Sequence, residues 1–490
     1  MPWVTRKKCI PQVLYINNMT EDSDQKSFRI EVDSMGEINV PSDKYWGAQT
    51  QRALQHFPVG KDVMPYEVID GLAIIKKCAA IVNSFYGKIS KEKADLIISA
   101  ADEVISRKLV EHFPLAVWQS GSGTQSNMNV NEVIANRANE MAGGVLGSKF
   151  PIHPNDDVNM SQSSNDAFTS AMHIASVLKI TKKLLPAIHN LRNGLNEMSK
   201  KYEKLVKVGR THLQDAVPIT LGQEISGWVA QIDFGYRKID ESLKDLYELA
   251  IGGTAVGTGL NSPIGFAEKM AEKIGDETGF PFMSARNKFA QLAAHDPVVV
   301  ASSALRLFAC SMMKIANDIR LLSSGPRCGF GELHIPSNEP GSSMMPGKVN
   351  PTQCEVMTMA CCQLIGNDAV IAVADSQGNL ELNTFKPLIV FNLLNSIEVL
   401  SGACNTFYKF CVAGIRPNIK RIEEMVSNSL MLVTALTPKI GYEKAAEIAQ
   451  KAYSDGTSLK EATLKLGYLT AEEYDDIVRP ELMIHPTESL

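Results

Sequence analysis

The distribution of proline constrains the fold of this 490-residue chain more than any other feature of its sequence. Its 23 prolines are unevenly placed, and the stretches 219–262 and 352–386 contain none. Proline inside a helix removes a hydrogen bond and clashes with the preceding turn, so stretches of this length permit unusually long helices.

Apolar residues recur at steps of three and four in three segments of the chain. Such steps place the apolar side chains along one face of a helix of about seven turns. The stripes are Ile225, Trp228, Ile232, Tyr236, Ile239, Leu243 and Leu246, then Leu305, Phe308, Met312, Ile315, Ile319 and Leu322, then Ile389, Leu393, Ile397, Leu400, Cys404, Phe407 and Cys411. Neighbouring long helices bury such stripes better than a sheet does, which predicts a mainly α fold with a central bundle of long helices. Asp296 is the expected N-cap of the second helix, and Gly325 its expected stop.

Three domains are expected along the chain. The central helical-bundle domain spans 163–416. It follows an N-terminal domain, 1–162, which is mixed but mostly helical, with helices near 67–86 and 91–108. A small helical domain, 417–490, completes the chain, and residues 1–27 are expected to form a disordered extension.

Composition and charge exclude several classes of partner and cofactor. With 49 Lys and Arg against 54 Asp and Glu, the net charge is −5, which argues against nucleic acid as a partner. No stretch approaches the roughly 20 apolar residues of a bilayer-spanning helix, so no membrane partner is expected. The nine cysteines form no C-x-x-C pair, which favours a reduced compartment and argues against an iron–sulfur or zinc site. No metal and no cofactor are predicted.

The sequence is compatible with two cellular compartments. The chain lacks a secretory signal, and a cytoplasmic location is expected. The first 20 residues carry three basic side chains and no acid, which keeps the mitochondrial matrix open as the alternative.

Four segments break the helical pattern and are rich in small polar donors: 120–127, 153–165, 209–215 and 341–351. Glycines allow close approach to backbone N–H groups, helix N-termini add partial positive charge, and Lys348 and Arg210 add full charges. Each segment alone is typical of caps and turns. The glycine spacings match neither a dinucleotide fingerprint nor a P-loop. Four such segments in one helical protein predict a site for a small anion.

In order and spacing, these segments resemble those of the fumarase/aspartase superfamily, most closely class II fumarase. The motifs that carry the resemblance are S-G-S-G-T-Q-S-N-M-N from 120, H-P-N-D-D-V-N from 153, S-Q-S-S-N-D from 161, G-R-T-H-L-Q-D-A from 209, and G-S-S-M-M-P-G-K-V-N-P from 341, followed by T-Q-C-E. The resemblance covers nearly the whole chain, from about 28 to 483. It implies the three-domain fold of that superfamily.

The resemblance also implies a reaction and the residues that perform it. The reaction is the reversible, stereospecific anti addition of water to fumarate, giving L-malate through an aci-carboxylate carbanion, a step of the tricarboxylic acid cycle. The implied catalytic residues are Ser342 as the base for the carbon proton, His212 acting through water, and Glu355 paired with His212. The implied substrate-binding residues are Ser122, Gly123, Thr124, Ser163, Ser164, Asn165, Thr211, Ser343, Lys348 and Asn350.

A second, non-catalytic anion site and a homotetramer are implied as well. The anion site comprises His153, Pro154, Asn155 and Asp156. In the family, the long helices form the centre of a tetramer, and the four segments of one active site come from three chains. Two alternatives stay open: an aspartate ammonia-lyase of the same superfamily, and a catalytically silent structural relative.

Overall fold

The structure, a computed structural model, describes residues 27–486 and is mostly helical, with 62% helix and 8% strand. The expected disordered extension, 1–27, lies outside the described residues except for Ser27. The helices are α1 Ala48–His56, α2 Tyr66–Phe85, α3 Lys91–Ile105, α4 Thr124–Met141, α5 Ser164–Lys179, α6 Leu185–Lys201, α7 Leu221–Leu246, α8 Phe266–Thr278, α9 Lys288–Ala293, α10 Asp296–Leu322, α11 Thr352–Asp375, α12 Lys386–Phe410, α13 Ile419–Asn428, α14 Thr437–Ile440, α15 Tyr442–Asp455, α16 Leu459–Leu466 and α17 Ala471–Ile477.

In the part of the chain that the structure describes, eight short strands pair two by two. They are β1 Phe28–Asp33, β2 Gly36–Pro41, β3 Val206–Thr211, β4 Gln214–Thr220, β5 Glu248–Leu249, β6 Met283–Ser284, β7 Leu333–His334 and β8 Arg416–Pro417. The pairs β1–β2, β3–β4 and β7–β8 are antiparallel, and β5–β6 is parallel.

The three predicted stripes lie on α7, α10 and α12, and the mainly helical fold is confirmed. Their side chains are buried where α7 packs on α6 and α10, and where α11 packs on α10 and α12. Two helix ends differ from the prediction. His295, not Asp296, is the N-cap of α10, because His295 is the last residue with non-helical backbone and Pro297 occupies the first turn. Helix α3 ends at Ile105, before Arg107 takes a positive φ of 61°.

Three helices are long and apolar enough to cross a membrane by length and composition, so that part of the sequence analysis is wrong. Within the described residues they are α10, α11 and the segment Lys386–Gly414. The prediction that no segment is apolar enough to span a bilayer considered only the face of each helix that packs in the bundle, but these helices are also apolar on other faces. Polar groups also lie between them: Asp368 of α11 accepts from Ser302 at 2.7 Å and from Arg306 at 2.6 Å.

Two separate hydrophobic cores are present in the described residues. The larger one runs from Val40 to Ile415 and joins the N-terminal region to the long helices. The smaller one, from Leu432 to Tyr474, belongs to the last helices. Helices α4 and α5 both pack in the larger core, and a hydrogen bond from Asn127 to Ser164 joins their N-terminal ends, which positions the first two polar segments.

Candidate active site

The segment 120–127 forms the N-terminal entry to α4. Gly123 is the residue before the helix and takes a left-handed φ of 76°; a Cβ there would lie 2.3 Å from the ring of Phe168. Ser122 Oγ lies 2.8 Å from Thr124 Oγ1 and 3.0 Å from Ser120 Oγ. Three hydroxyls thus form a chain at the positive end of an 18-residue helix, an arrangement suited to a carboxylate.

The start of α5 presents a second set of donors. Ser163 caps this helix: its Oγ accepts from the backbone N–H of Asn165 at 3.2 Å, and its own N–H donates to Asp166 Oδ1 at 2.9 Å. Ser164 Oγ accepts from Asn127 Nδ2 at 3.0 Å, which ties α5 to α4. Asn165 Nδ2 donates to the carbonyl of Ala255 at 2.8 Å. The structure therefore brings the predicted residues of these two segments to adjacent helix N-termini.

The segment 209–215 is a β-hairpin, which the sequence analysis did not predict. Strands β3 and β4 pair up to Thr211 and Gln214, leaving His212 and Leu213 as the turn. Both turn residues have left-handed backbones, with φ of 56° and 60°. A non-glycine residue pays a conformational cost in this region, so the hairpin holds a strained histidine at an exposed tip. His-Leu is not a usual turn pair, which is why no turn was predicted at these two residues.

Arg210 does not supply a free charge, contrary to the sequence analysis. Its Nη1 donates to Glu332 at 2.8 Å, and its guanidinium lies 4.5 Å from the ring centroid of Phe330. Glu332 is buried and is also paired with Lys207 at 3.0 Å. Arg210 therefore anchors the hairpin close to its tip.

The segment 341–351 folds back on itself between two glycines with positive φ, Gly341 at 107° and Gly347 at 76°. Gly341 forms an isolated bridge with Pro346. Ser342 Oγ accepts from the backbone N–H of Met344 at 3.3 Å and from that of Met345 at 2.9 Å. Two backbone donors therefore point at the oxygen of the predicted base.

The remaining predicted residues of this region are largely accessible in one chain. Ser343 and Lys348 are exposed, and Asn350 Nδ2 donates to Glu339 at 3.3 Å. Glu355, in the first turn of α11, is exposed as well. Within residues 27–486 no hydrogen bond or ion pair joins His212, Ser342 and Glu355 to one another.

The segment of the predicted second anion site is a compact turn. His153 precedes the turn Pro154–Val158, and its Nδ1 accepts from the backbone N–H of Asn155 at 3.2 Å and of Asp156 at 3.1 Å. An Nδ1 that accepts leaves the proton on Nε2, which remains available as a donor. Asp156 is exposed, with Oδ2 3.4 Å from the same Nδ1. The structure thus places the four predicted residues side by side.

Comparison with known proteins places the chain in a family. The family model described as "Lyase" matches residues 36–366, and the model described as "Fumarase C C-terminus" matches residues 432–485. The class II fumarate hydratase of Thermosynechococcus vestitus is 59% identical over 456 residues, which cover 93% of this chain and 98% of that protein. The chain belongs to the class II fumarate hydratase family.

Other members of the family extend the likeness. The mitochondrial fumarate hydratase of Rattus norvegicus is 54% identical over 484 residues, 98% of this chain and 94% of that protein. The crystal structure of class II fumarase from Schistosoma mansoni superimposes with a TM-score of 0.92 at 44% identity, covering 94% of this chain and 100% of that one. The predicted resemblance, the fold class and the lyase assignment are confirmed. Bacterial and mitochondrial members are both present among these relatives.

Membership of the family leaves two buried lysines unexplained, and the sequence analysis missed both. Lys76 and Lys386 are 0% exposed and lie directly behind the N-termini of α4 and α5. Burial lowers the pKa of each to about 7, while the negative charge of Asp166 opposes the shift. The only sequence signal was a lysine interrupting an otherwise apolar run, as Lys76 does in α2. No group of three or more His, Cys, Asp or Glu side chains that could hold a metal occurs in the described part of the chain.

Proposed function

We propose that this chain catalyses the reversible hydration of fumarate to L-malate by anti addition of water. The observation that carries the proposal is the match to class II fumarate hydratases along nearly the whole chain, at 59% identity over 456 residues for one of them. The convergence of two helix N-termini lined by hydroxyl and amide groups supports a dicarboxylate substrate.

The proposed chemistry makes a specific demand on these donors. Removing the proton next to a carboxylate puts a second negative charge on that carboxylate, and fixed donors stabilise this charge best where they are already oriented. Ser122, Thr124, Ser163, Ser164 and Asn165 supply such donors at the starts of α4 and α5. We assign Gly123, Thr211, Ser343, Lys348 and Asn350 to the same cage, with Lys348 as its cation.

Ser342 is the proposed base for the carbon proton. A serine hydroxyl is a poor base by its ordinary pKa and needs stabilisation of its alkoxide. The N–H groups of Met344 and Met345, 3.3 and 2.9 Å from Oγ, offer that stabilisation without any rearrangement of the loop.

His212 is proposed to handle water on the opposite face, with Glu355 fixing its tautomer. Since no hydrogen bond or ion pair joins these residues within the described part of one chain, the proposal includes a homotetramer whose active sites are shared between chains. Exposed apolar residues support it. Less than half of the most apolar part of α11 is buried within one chain, and its side chains Val356, Met359, Val370 and Val373 are exposed. Faces of this kind are typical of subunit interfaces.

The remaining assignments follow the same reading. Residues 1–162, 163–416 and 417–490 are the proposed domains, and the separate core from Leu432 to Tyr474 supports the last division. His153, Pro154, Asn155 and Asp156 are proposed to bind a second anion outside the catalytic site. The reaction needs no metal and no cofactor. The proposed location is the cytoplasm, with the mitochondrial matrix as the alternative.

The test is to incubate the purified protein separately with L-malate and with L-aspartate and to follow the ultraviolet absorbance of fumarate. We expect fumarate from malate only. Fumarate from aspartate but not from malate would assign the chain to the ammonia-lyases, and no turnover of either would assign it to the silent structural relatives.

A further inference from the structure

Two fully buried lysines hold the proposed substrate cage from behind, and the reaction described above does not use them. Lys76 lies in the middle of α2, and Lys386 is the first residue of α12. Both have an exposed fraction of 0%. An ammonium group is costly to bury, so a structure retains it only where its hydrogen bonds or its charge compensate.

Lys76 joins three side chains that lie behind the cage at one nitrogen. Its Nζ donates to Asn127 Oδ1 at 2.7 Å, to Asn159 Oδ1 at 2.9 Å and to Gln162 Oε1 at 2.9 Å. All three partners are neutral amide oxygens, and three acceptors match the three N–H groups of an ammonium. Asn127 in turn donates to Ser164 Oγ at 3.0 Å, so Lys76 is one residue removed from the proposed cage.

Lys386 links the other side of the same helix ends. Its Nζ donates to the backbone carbonyl of Asn165 at 3.0 Å, and its backbone N–H donates to the carbonyl of Gly121 at 3.0 Å. A Cβ on Gly121 would lie only 1.4 Å from the carbonyl oxygen of Thr384, so the chain before Lys386 is pressed against the hydroxyl-rich segment. One residue therefore fixes the start of α5 relative to the entry of α4.

The charges around the two lysines do not balance. Asp166 is the only carboxylate that acts on both of them, and within residues 27–486 neither lysine forms an ion pair. The oxygens of Asp166 are occupied by backbone N–H groups of Ser163, Gly252 and Thr254 at 2.8 to 2.9 Å. Two lysines, each with a pKa lowered to about 7 by burial, thus face one carboxylate in a dehydrated interior, where the charge of a protonated ammonium acts over a longer range than in water.

The neighbouring titratable groups do not cancel this excess. His295 is fully buried close to Lys386, and His173 is fully buried close to His295; burial lowers the pKa of both imidazoles, which keeps them neutral. The partial positive charge of the α5 N-terminus adds to the excess on the side of the cage.

We infer that Lys76 and Lys386 are positioning residues for the proposed hydration: they lock the α4 and α5 N-termini together, and their excess positive charge selects a doubly charged substrate. The inference rests on the proposed function. The inference can be distinguished from a purely structural role. Loss of charge weakens the binding of a dianion more than that of a monoanion, whereas a loosened cage weakens the binding of both.

The test compares Lys76→Met and Lys386→Met, which keep side-chain length and remove the charge, with Lys386→Arg, which keeps it. Lys179→Met is the matched control, since Lys179 is a largely buried lysine that pairs with Glu67 and Glu398 on other helices. Binding is measured by calorimetry with succinate, a dianion, and with its half-amide succinamate, a monoanion. Activity is followed with fumarate, and assembly by size-exclusion chromatography.

We expect each methionine variant to lose about tenfold in kcat/KM for fumarate and about tenfold in affinity for succinate, but less than about threefold for succinamate. Lys386→Arg retains most of the preference for succinate, and Lys179→Met behaves as the unaltered protein. Equal losses for both ligands, unchanged binding, or failure of both methionine variants to assemble would overturn the inference. If the unaltered protein does not hydrate fumarate, the proposed function fails instead, and the two failures are distinguishable.

Discussion

A single substitution at Ser342 tests the proposed removal of the carbon proton. Ser342→Ala removes the oxygen that accepts from Met344 and Met345 and leaves the glycine-bounded loop intact. We expect turnover of fumarate to fall by at least about 100-fold without a change in assembly, in line with the loss of a general base. Steady-state kinetics and size-exclusion chromatography measure the two effects.

Ser337→Ala is the matched control for that variant. Ser337 is exposed a few residues upstream and donates only to the carbonyl of Glu339 at 2.8 Å, so its removal leaves turnover near normal. Normal hydration by Ser342→Ala would show that another group takes the carbon proton.

His173 is expected to make the folded protein sensitive to acid. Its ring is fully buried, with Nδ1 2.9 Å from the carbonyl of Glu248, and burial lowers its pKa from 6.5 to about 4. Between those values the unfolded chain binds a proton that the folded chain does not, so stability falls as pH falls from 6.5 to 4. The slope is about 1.4 kcal/mol per pH unit for one such group.

Thermal melting between pH 7 and 4.5 measures this slope. His173→Gln is expected to melt with a shallower dependence on pH than the unaltered protein, although His295, buried nearby, keeps part of it. His189→Gln is the control, because His189 is exposed and contacts only Asn193 at 2.9 Å. Parallel melting profiles for the unaltered chain and His173→Gln would contradict the prediction.

The candidate site residues were predictable from the sequence because their motifs are local. Ser163 and Gly123, for example, are cap residues whose role depends on the few residues after them. The partners of Arg210 and Lys76 were not predictable, since Glu332 and Asn159 are distant in sequence and meet them only after the helices pack. For this reason, Arg210 was predicted to supply an unpaired charge, and Lys76 was not predicted as a site residue at all.

Among the structural elements, the β3–β4 hairpin carries the clearest backbone strain. Leu213 takes φ of 60° with its side chain 63% exposed, so the cost of this conformation is offset by little packing. Glycine adopts such a φ freely, whereas alanine keeps the Cβ that causes the cost. We expect Leu213→Gly to be more stable than Leu213→Ala by about 1 kcal/mol, measured as a higher melting temperature. An alanine variant as stable as the glycine variant would mean that the turn is unstrained.

Helices and hairpin differ in how far the sequence predicts them. The stripes on α7, α10 and α12 repeat over many turns, so the period is clear even where one helix end is misplaced by a residue. Strand β3 has six residues with glycine near its end and no glycine or asparagine in the turn. Six residues are too few for the alternating pattern of a strand to be recognised in the sequence.

At the scale of the whole molecule, the single chain leaves its proposed catalytic groups apart. His212 is at a hairpin tip, Ser342 is in a loop closed on itself, and Glu355 is at the start of α11, and in the described residues no hydrogen bond or ion pair joins them. No sequence pattern within one chain specifies which copy completes a site. The exposed apolar face of α11 is the surface on which we propose that such a copy packs.

Subunit complementation tests whether active sites are shared. His212→Asn and Ser342→Ala are each expected to be nearly inactive as homotetramers, because every site lacks one group. If one site takes His212 and Ser342 from different chains, a mixed tetramer contains some sites in which both are intact. Co-expression of the two variants with different affinity tags, followed by purification of the mixed species, is therefore expected to recover a measurable fraction of the activity of the unaltered protein. Mixed tetramers no more active than either parent would place both groups of each site on one chain, and the long helices would then assemble the protein without completing its chemistry.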